Sequence, residues 1–296
     1  MNITARKVIT SFLCVVFCCN YCFSQLIDLG LSGYKTSIET PYNLDKQKDL
    51  AVSLSAVALI GTGFFLKSLK PSIDSIDLVN PDISKIPSFD ISAIHQSNPG
   101  YQKASDILEY VAVALPFLAF VDKRVSGHGG QIVFMYLETL ALDFALYNMT
   151  TGLVNRRRPL TFNTDTHVEI INGIESIVSD VPQSSKERAG VLESFFSGHT
   201  CNAATATFFG ARVFTDLRPQ SKLVPFVWIA AAGVPAFTAF SRYKAGKHFP
   251  SDVIVGYLVG ASVGYFVPQF HKYHYLKNLS FSPTFENKGM AMTYRF

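Results

Sequence analysis

Three short polar stretches hold the residues of this sequence that could perform chemistry. They are NRRRP at 155–159, SFFSGHT at 194–200 and SRYKAGKHFPSD at 241–252. Arginine guanidinium groups bind phosphoryl oxygens through paired hydrogen bonds. Histidines can divide the roles of nucleophile and acid, and a carboxylate can orient one of them. The residue types therefore predict an anion site that also transfers protons.

The pair Ser197 and Gly198 opens the apolar segment that follows the second stretch. Backbone amides at a helix N-terminus donate to anions, and a glycine lets an anion approach the backbone closely. Asp252 is the only carboxylate in the three stretches, whereas a pair of catalytic cations needs several. We therefore expect neither a metal nor a cofactor at this site.

Six apolar segments must bring these stretches together. They cover 49–66, 105–121, 131–149, 200–214, 223–241 and 252–270. The polar stretches follow the third segment, open the fourth, and join the fifth to the sixth. In an up-and-down helical bundle those helix ends share one face, so the three stretches are expected to converge there.

The composition indicates a membrane protein. Charged residues make up 16% of the 296 residues, against roughly 25% in ordinary soluble domains, and the mean hydropathy is +0.22. Glu138, Asp143 and Arg212 interrupt the apolar segments, and ionisable groups at such depth face a bundle interior or a polar cavity. The net charge of +4 is dispersed and no basic stripe interleaves with aromatic residues, so nucleic acid is not an expected partner.

We expect an all-α, membrane-associated helical bundle of about five to six core helices. Gly256, Gly260 and Gly264 recur at every fourth position, a spacing that lets helix backbones approach each other. The tail alternates in polarity around 287–289, which predicts a short C-terminal β-hairpin.

Two longer polar segments separate the apolar ones. Residues 67–104 contain four prolines and predict a loop with short turns, and residues 152–193 predict a polar segment with a short helix near 184–193. The predicted organisation is a signal peptide at 1–24, an N-terminal helix and polar loop at 25–104, a helical bundle at 105–276 and a tail at 277–296.

The N-terminus resembles a secretory signal. Arg6 and Lys7 precede the apolar run VITSFLCVVFCC, and small residues before Gln25 offer a cleavage site. The run is shorter than the roughly 20 residues that a membrane span needs. Four of the five cysteines lie within this signal, so Cys201 alone would remain and no internal disulfide is expected.

The three polar stretches resemble the signature of the type 2 phosphatidic acid phosphatase superfamily. That signature reads Lys-x6-Arg-Pro, then Pro-Ser-Gly-His, then Ser-Arg-x5-His-x3-Asp. The matching residues are Arg158 and Pro159 in the first motif, Ser197, Gly198 and His199 in the second, and Ser241, Arg242, His248 and Asp252 in the third. The departures are Phe196 in place of the proline and Thr151 in place of the lysine.

The resemblance implies a role for each matching residue. His248 would be the nucleophile that forms a phosphohistidine, Asp252 would orient its imidazole, and His199 would protonate the leaving oxygen and then activate water. The implied phosphate ligands are Arg158, Arg242, Ser197 and the amide of Gly198. Because Thr151 removes a cation from this set, Arg156 and Arg157 are candidate substitutes.

The resemblance also implies a function. We expect a metal-independent phosphatase of a lipid phosphate monoester or an isoprenoid diphosphate, acting at a bacterial inner membrane with its site facing the periplasm. Two alternatives stay open. One is a soluble periplasmic acid phosphatase of the same family that acts on a small phosphoester. The other is a membrane protein that binds lipid phosphates without turnover, which the missing lysine would favour.

Overall fold

The structure is a computed structural model that describes residues 40–71, 81–117, 128–171, 174–186, 190–272, 279–284 and 289–294. The chain divides into two units, 1–40 and 41–296, and the described helices and strands all belong to the second unit. The predicted signal peptide at 1–24 lies outside the described residues.

The described part of the chain is mostly helical, which confirms the predicted all-α fold. Its six long helices are α1 (Lys46–Ser68), α2 (Pro99–Ala114), α3 (Gly129–Leu153), α4 (Gly198–Leu217), α5 (Val224–Lys244) and α6 (Pro250–Phe270). Among the described residues, α1, α3, α5 and α6 are long and apolar enough to cross a membrane. Their number and order match the apolar segments of the sequence.

Local sequence determines where several helices begin. The Asp45 side chain accepts hydrogen bonds from the amides of Gln47 and Lys48 and so caps α1. Helix α2 starts at Pro99, earlier than the predicted 105, because Asn98 caps its first amides and proline fits the first helical position. The rest of the predicted loop at 67–104 contains two short 3₁₀ turns in its described part.

Helix α4 lies at the centre of the bundle and packs against α2, α3, α5 and α6. The closest packing is with α6, where a Cβ atom added at Gly260 or Gly264 would collide with the backbone of α4, and one added at Gly256 with the backbone of Ser197 directly before α4. The glycine spacing in the sequence therefore indicates a real helix contact. This contact fixes the start of α6, and with it Asp252, against the start of α4.

Helix α1 lies along α3, and the two run in the same direction. Near the end of both helices, Gly63 is so close to the backbone of Asn148 that no side chain would fit. Near the beginning, Asp49 of α1 approaches the same histidine as Glu138 of α3. Helix α1 thus extends along the bundle from the end distant from the three polar stretches to the end that contains them.

Two antiparallel hairpins complete the described fold. Strands β3 (Leu279–Thr284) and β4 (Gly289–Tyr294) pair with Thr284 opposite Gly289, as the alternating tail predicts. Strands β1 (Thr166–Ile171) and β2 (Ile174–Ser179) form a hairpin that we did not predict within 152–193. Of the helix expected near 184–193, the described residues show one turn, Gln183–Lys186, and no helix at 190–193.

Candidate active site

Backbone hydrogen bonds join the three polar stretches to one another. They run from the amide of Ser194 to the carbonyl of Arg156 at 3.0 Å, from Leu160 to Gly246 at 3.0 Å, and from Ser197 to Asp252 at 3.1 Å. Gly246 has a φ of 65°, a backbone conformation that glycine adopts without strain. The convergence expected from the helix order is therefore observed.

A cavity of about 470 Å³ opens where the stretches meet. Arg158, Arg242, His199 and Lys247 all line it, so three permanent cations and an imidazole surround the same space. The other lining residues are Gln102, Asp106, Tyr110, Leu160, Ser185, Gly190 and Val191. A basic cavity with both polar and apolar walls suits an anionic group attached to a less polar body.

The two cavity arginines are held by neighbouring groups. Nε of Arg158 donates to the carbonyl of Gly190 at 3.0 Å. Nη1 of Arg242 lies 3.3 Å from Ser105 Oγ and 3.3 Å from Asp106 Oδ1. Nε of Arg242 is buried and has no hydrogen-bond partner among the described residues, so it is a donor available to a bound anion.

His199 contacts two carboxylates from α2. Its Nε2 lies 3.0 Å from Asp106 Oδ1 and 3.2 Å from Glu109 Oε2. Burial and the charges of Arg242 and Arg158 lower the pKa of the imidazole to about 3. A phosphate bound between those arginines would offset their charge and raise this pKa again. The pKa of His199 therefore depends in part on whether an anion occupies the cavity.

His248 is almost completely buried, with 1% of its surface exposed. Its Nδ1 donates to the carbonyl of Ser194 at 2.8 Å, and that bond leaves the lone pair on Nε2. Burial, with the charges of Arg158 and Arg242, lowers the pKa of this histidine well below its usual value. His248 does not line the cavity, but Lys247, which precedes it in the chain, does.

Asp252 is fully buried and is held by three donors. Its carboxylate accepts hydrogen bonds from Ser194 Oγ at 2.6 Å and from the amide of Phe249 at 2.9 Å. It also forms an ion pair with Arg156, and Nη2 of the same arginine lies 2.6 Å from Asp90 Oδ2. Asp252 is 3.9 Å from Nδ1 of His248, so the two do not hydrogen-bond.

Ser197 and Gly198 lie where α6 packs against the start of α4. Ser197 is fully buried, and its Oγ is 3.0 Å from Thr200 Oγ1. Gly198 is the first residue of α4 and lies against the ring of Tyr147, which leaves no space for a Cβ atom. Phe196, in place of the family proline, packs edge-to-face on the same ring with centroids 6.0 Å apart.

Thr151 occupies the position of the family lysine and does not reach the cavity. This threonine is fully buried, and its Oγ1 donates to the carbonyl of Tyr147 at 2.7 Å. Neither candidate substitute lines the cavity: Arg156 is paired with Asp252, and Arg157 stacks over the ring of Phe162 at 4.8 Å. The cation that lines the cavity in addition to Arg158 and Arg242 is Lys247.

Sequence reasoning missed four groups that the structure brings to the site. Asp106 and Glu109 belong to no motif and reach His199 from a helix far away in the sequence. The carbonyl of Ser194 contacts His248 only because of the path of the loop. Lys247 could have been found, because it adjoins His248 within a motif that places its neighbours at the cavity.

Comparison with known proteins shows that part of the chain is similar to one family. Residues 132–276 match the model of the PAP2 superfamily. Over 80 residues the chain is 35% identical to a lipid A 4'-phosphatase from Porphyromonas gingivalis, a match that covers 27% of this chain and 30% of that protein. Residues 132–276 of this chain therefore resemble the type 2 phosphatidic acid phosphatase superfamily, and the match to the lipid A 4'-phosphatase spans less than a third of the length of that relative.

A solved structure is also similar to this chain. It is the crystal structure of a transmembrane PAP2-type phosphatidylglycerolphosphate phosphatase from Bacillus subtilis. The alignment covers 73% of this chain and 94% of that chain, with 18% sequence identity and a TM-score of 0.40.

Proposed function

We propose that this protein is a phosphatase that hydrolyses a lipid phosphate monoester or an isoprenoid diphosphate through a phosphohistidine. The observation that supports this most directly is the cavity in which Arg158, Arg242 and Lys247 surround His199. His248 follows the cavity-lining Lys247 in the chain; its burial, with the charges of Arg158 and Arg242, favours the neutral imidazole, whose Nδ1 proton is already bonded. The proposal assigns phosphoryl binding to the cavity cations, nucleophilic attack to His248 and proton transfer to His199.

The reaction would proceed in two displacements. Nε2 of His248 attacks phosphorus while the bond from phosphorus to the leaving oxygen breaks, and His199 gives its proton to that oxygen. His199 then accepts a proton from a water molecule as the water oxygen attacks the phosphohistidine. The bond from phosphorus to nitrogen breaks, inorganic phosphate leaves, and both histidines return to their starting forms.

Within this proposal, Lys247 supplies the cation that the family signature places at position 151. It lines the cavity with Arg158 and Arg242, whereas Thr151 is buried. Lys67 is another ammonium nearby, but it is paired with Glu193 at 3.1 Å. Charge stabilisation of the transferring phosphoryl group does not depend on which segment provides the cation, only on where the charge lies.

A phosphorylated lipid is the proposed substrate class, and a bacterial inner membrane with the site facing the periplasm is the proposed location. Tyr110, Leu160 and Val191 give the cavity wall an apolar part next to its cations. The site lies at the ends of helices long enough to cross a membrane, where an amphipathic substrate would present its phosphate. A relative named as a lipid A 4'-phosphatase supports a lipid substrate.

A binding protein without turnover is the second candidate, and the buried Thr151 is the observation that favours it. Purified protein in detergent micelles should release phosphate from phosphatidic acid, an isoprenoid diphosphate or lipid A, with the His248→Ala variant as the matched control. We expect turnover of at least one of these lipids and none by the variant. Saturable lipid binding by the wild type without phosphate release would show the binding protein instead. Equal rates on a small aryl phosphate with and without detergent would indicate the soluble acid phosphatase.

A further inference from the structure

A second group of ionisable side chains lies at the other end of the bundle. It consists of Asp49 from α1, Glu138 from α3 and His271, which directly follows α6. Glu138 precedes Thr151 by 13 residues on α3, a separation of about 20 Å along a helix axis. The group is therefore remote from the candidate active site, and what it binds does not depend on the proposed function.

The three side chains converge on a small volume. His271 Nε2 lies 3.3 Å from Asp49 Oδ1 and 3.1 Å from Glu138 Oε2. One ligand atom from each residue lies within 4.8 Å of the other two. All three residues are buried, with Asp49 at 7%, Glu138 at 5% and His271 at 9% exposure. Nitrogen and oxygen atoms this close together can share one cation.

These atoms are close to one another without forming hydrogen bonds. Both carboxylate oxygens of Glu138 and Nε2 of His271 are buried and have no hydrogen-bond partner among the described residues. A buried polar atom without a partner is destabilising, so native proteins satisfy nearly all of them. Glu138 and His271 thus hold buried ligand atoms that lie 3.1 Å apart and lack a hydrogen-bond partner, and a shared cation would satisfy both.

The orientation of the imidazole supports the same conclusion. Nδ1 of His271 donates to the carbonyl of Val267 at 2.9 Å, so in the neutral ring the lone pair of Nε2 faces the two carboxylates. Histidines that bind metals commonly donate their second nitrogen to a carbonyl in this way. The other cations nearby, Arg212 and Lys272, are paired with Asp216 at 2.8 and 2.6 Å.

We propose that Asp49, Glu138 and His271 bind one divalent transition-metal ion of the zinc class. Two carboxylates and a neutral imidazole balance a double positive charge, whereas an imidazolium would leave one buried negative charge uncompensated. One nitrogen and two oxygen ligands, with water in the remaining position, form a set that zinc accepts. The ion would join α1, α3 and the end of α6, so its role is to hold the bundle together.

The test is metal content and thermal stability of the full chain, purified with an affinity tag that contains no histidine. After incubation with zinc and gel filtration, we expect one zinc per wild-type chain by elemental analysis. We expect zinc to raise the Tm in detergent and a chelator to lower it. The Glu138→Gln and His271→Gln variants should retain no stoichiometric zinc. Asp216→Asn, which removes a buried carboxylate at the same end, should still bind one equivalent.

Zinc content and Tm of the wild-type protein are sufficient to test the proposal, so the test does not depend on whether a variant folds. The proposal is overturned if zinc, manganese and cobalt all fail to bind stoichiometrically and none shifts the Tm. That result would leave the two carboxylates with His271 as their partner and no ion between them. Retention of zinc by His271→Gln at the wild-type level would place the ion elsewhere and would also refute the assignment.

Discussion

Nδ1 of His248 donates its proton to the carbonyl oxygen of Ser194 at 2.8 Å, and not to the carboxylate that follows it in the motif. A backbone carbonyl therefore fixes the tautomer of the proposed nucleophile. In serine-protease triads, replacing the orienting aspartate with asparagine costs about 10⁴-fold in kcat because the wrong tautomer results. Here Asp252→Asn should cost roughly 10- to 100-fold, since the carbonyl still holds the ring. Steady-state kinetics on folded protein measures this, and a full 10⁴-fold loss would require direct contact between Asp252 and the imidazole.

The His199→Ala and His248→Ala variants should respond differently to the acidity of the leaving group. An alkyl phosphate needs a proton on its leaving oxygen, whereas an aryl phosphate with an acidic phenol does not. His199→Ala should therefore lose about 10²–10⁴-fold on the alkyl ester and clearly less on the aryl ester. His248→Ala should lose turnover of both, because no covalent intermediate forms.

Rapid quench with a labelled aryl phosphate tests the same assignment directly. His199→Ala should accumulate labelled protein, because nothing activates water against the phosphohistidine, and His248→Ala should not become labelled. Label trapped on His248→Ala would show that the roles are reversed.

Lys247 should behave as a phosphate-binding cation. Lys247→Met removes one of the three positive charges lining the cavity and should lower kcat/KM by about 10²-fold or more, with Lys247→Arg recovering most of the loss. Lys244→Met is the matched control, since its ammonium lies over the rings of Phe240 and Tyr243 and not at the cavity. Equal, small effects of both methionine variants would leave the missing lysine of the family without a substitute.

Catalysis should not require a divalent cation. The cavity is lined by Arg158, Arg242 and Lys247, and Asp106 is its only carboxylate among the described residues. Initial rates should therefore survive exhaustive chelation, even where chelation lowers the Tm through the ion proposed at the opposite end. Vanadate should inhibit, because a trigonal-bipyramidal adduct on His248 would resemble the transition state. Loss of the rate on chelation with recovery by magnesium would contradict the proposed mechanism.

The site should face the periplasm. Arg212, Arg218 and Lys222 lie at the opposite end of the bundle, and basic residues near membrane ends favour the cytoplasm. A cysteine at Ser185, which lines the cavity, should react with an impermeant reagent in intact cells, and one at Lys222 should not. This orientation is incompatible with the combination of a signal cleaved after residue 24 and an α1 that crosses the membrane, so reverse labelling would show that both occur and would refute the prediction.

The helices and the polar ends of the site were predictable because periodicity and motif spacing are local properties of the chain. Six apolar segments became six helices, and the three motif stretches meet because alternate helix ends share a face. The glycines of α6 were informative for the same reason, since a four-residue repeat marks one helix face. Features that depend on residue spacing along one helix or motif can therefore be predicted from the sequence.

The remaining features depend on contacts that spacing does not encode. Asp106 and Glu109 meet His199 through the packing of α2 on α4, which no local pattern records. Arg156 pairs with Asp90 and Asp252 because of the path of two loops. Its position next to Arg158 in the sequence therefore wrongly suggests that its guanidinium group reaches the phosphate site. The β1–β2 hairpin exposes Val168, Ile170 and Ile177, and a polar segment with an exposed hairpin has no core-facing pattern to detect.

Helix α1 lies outside the residues that match the family model, yet it supports the site. Lys67 lies 3.0 Å from Asn148 Oδ1 and 3.1 Å from Glu193 Oε2. Lys70, just after α1, donates to the carbonyls of Val154 and Leu192, both at 3.0 Å. A minimal domain cut at residue 132 would leave those acceptors and the α1-facing surface of α3 without their partners. The segment shared with the family is thus smaller than the segment that must be expressed, and any fragment used for screening or for grafting the site into another protein needs to start before Lys46.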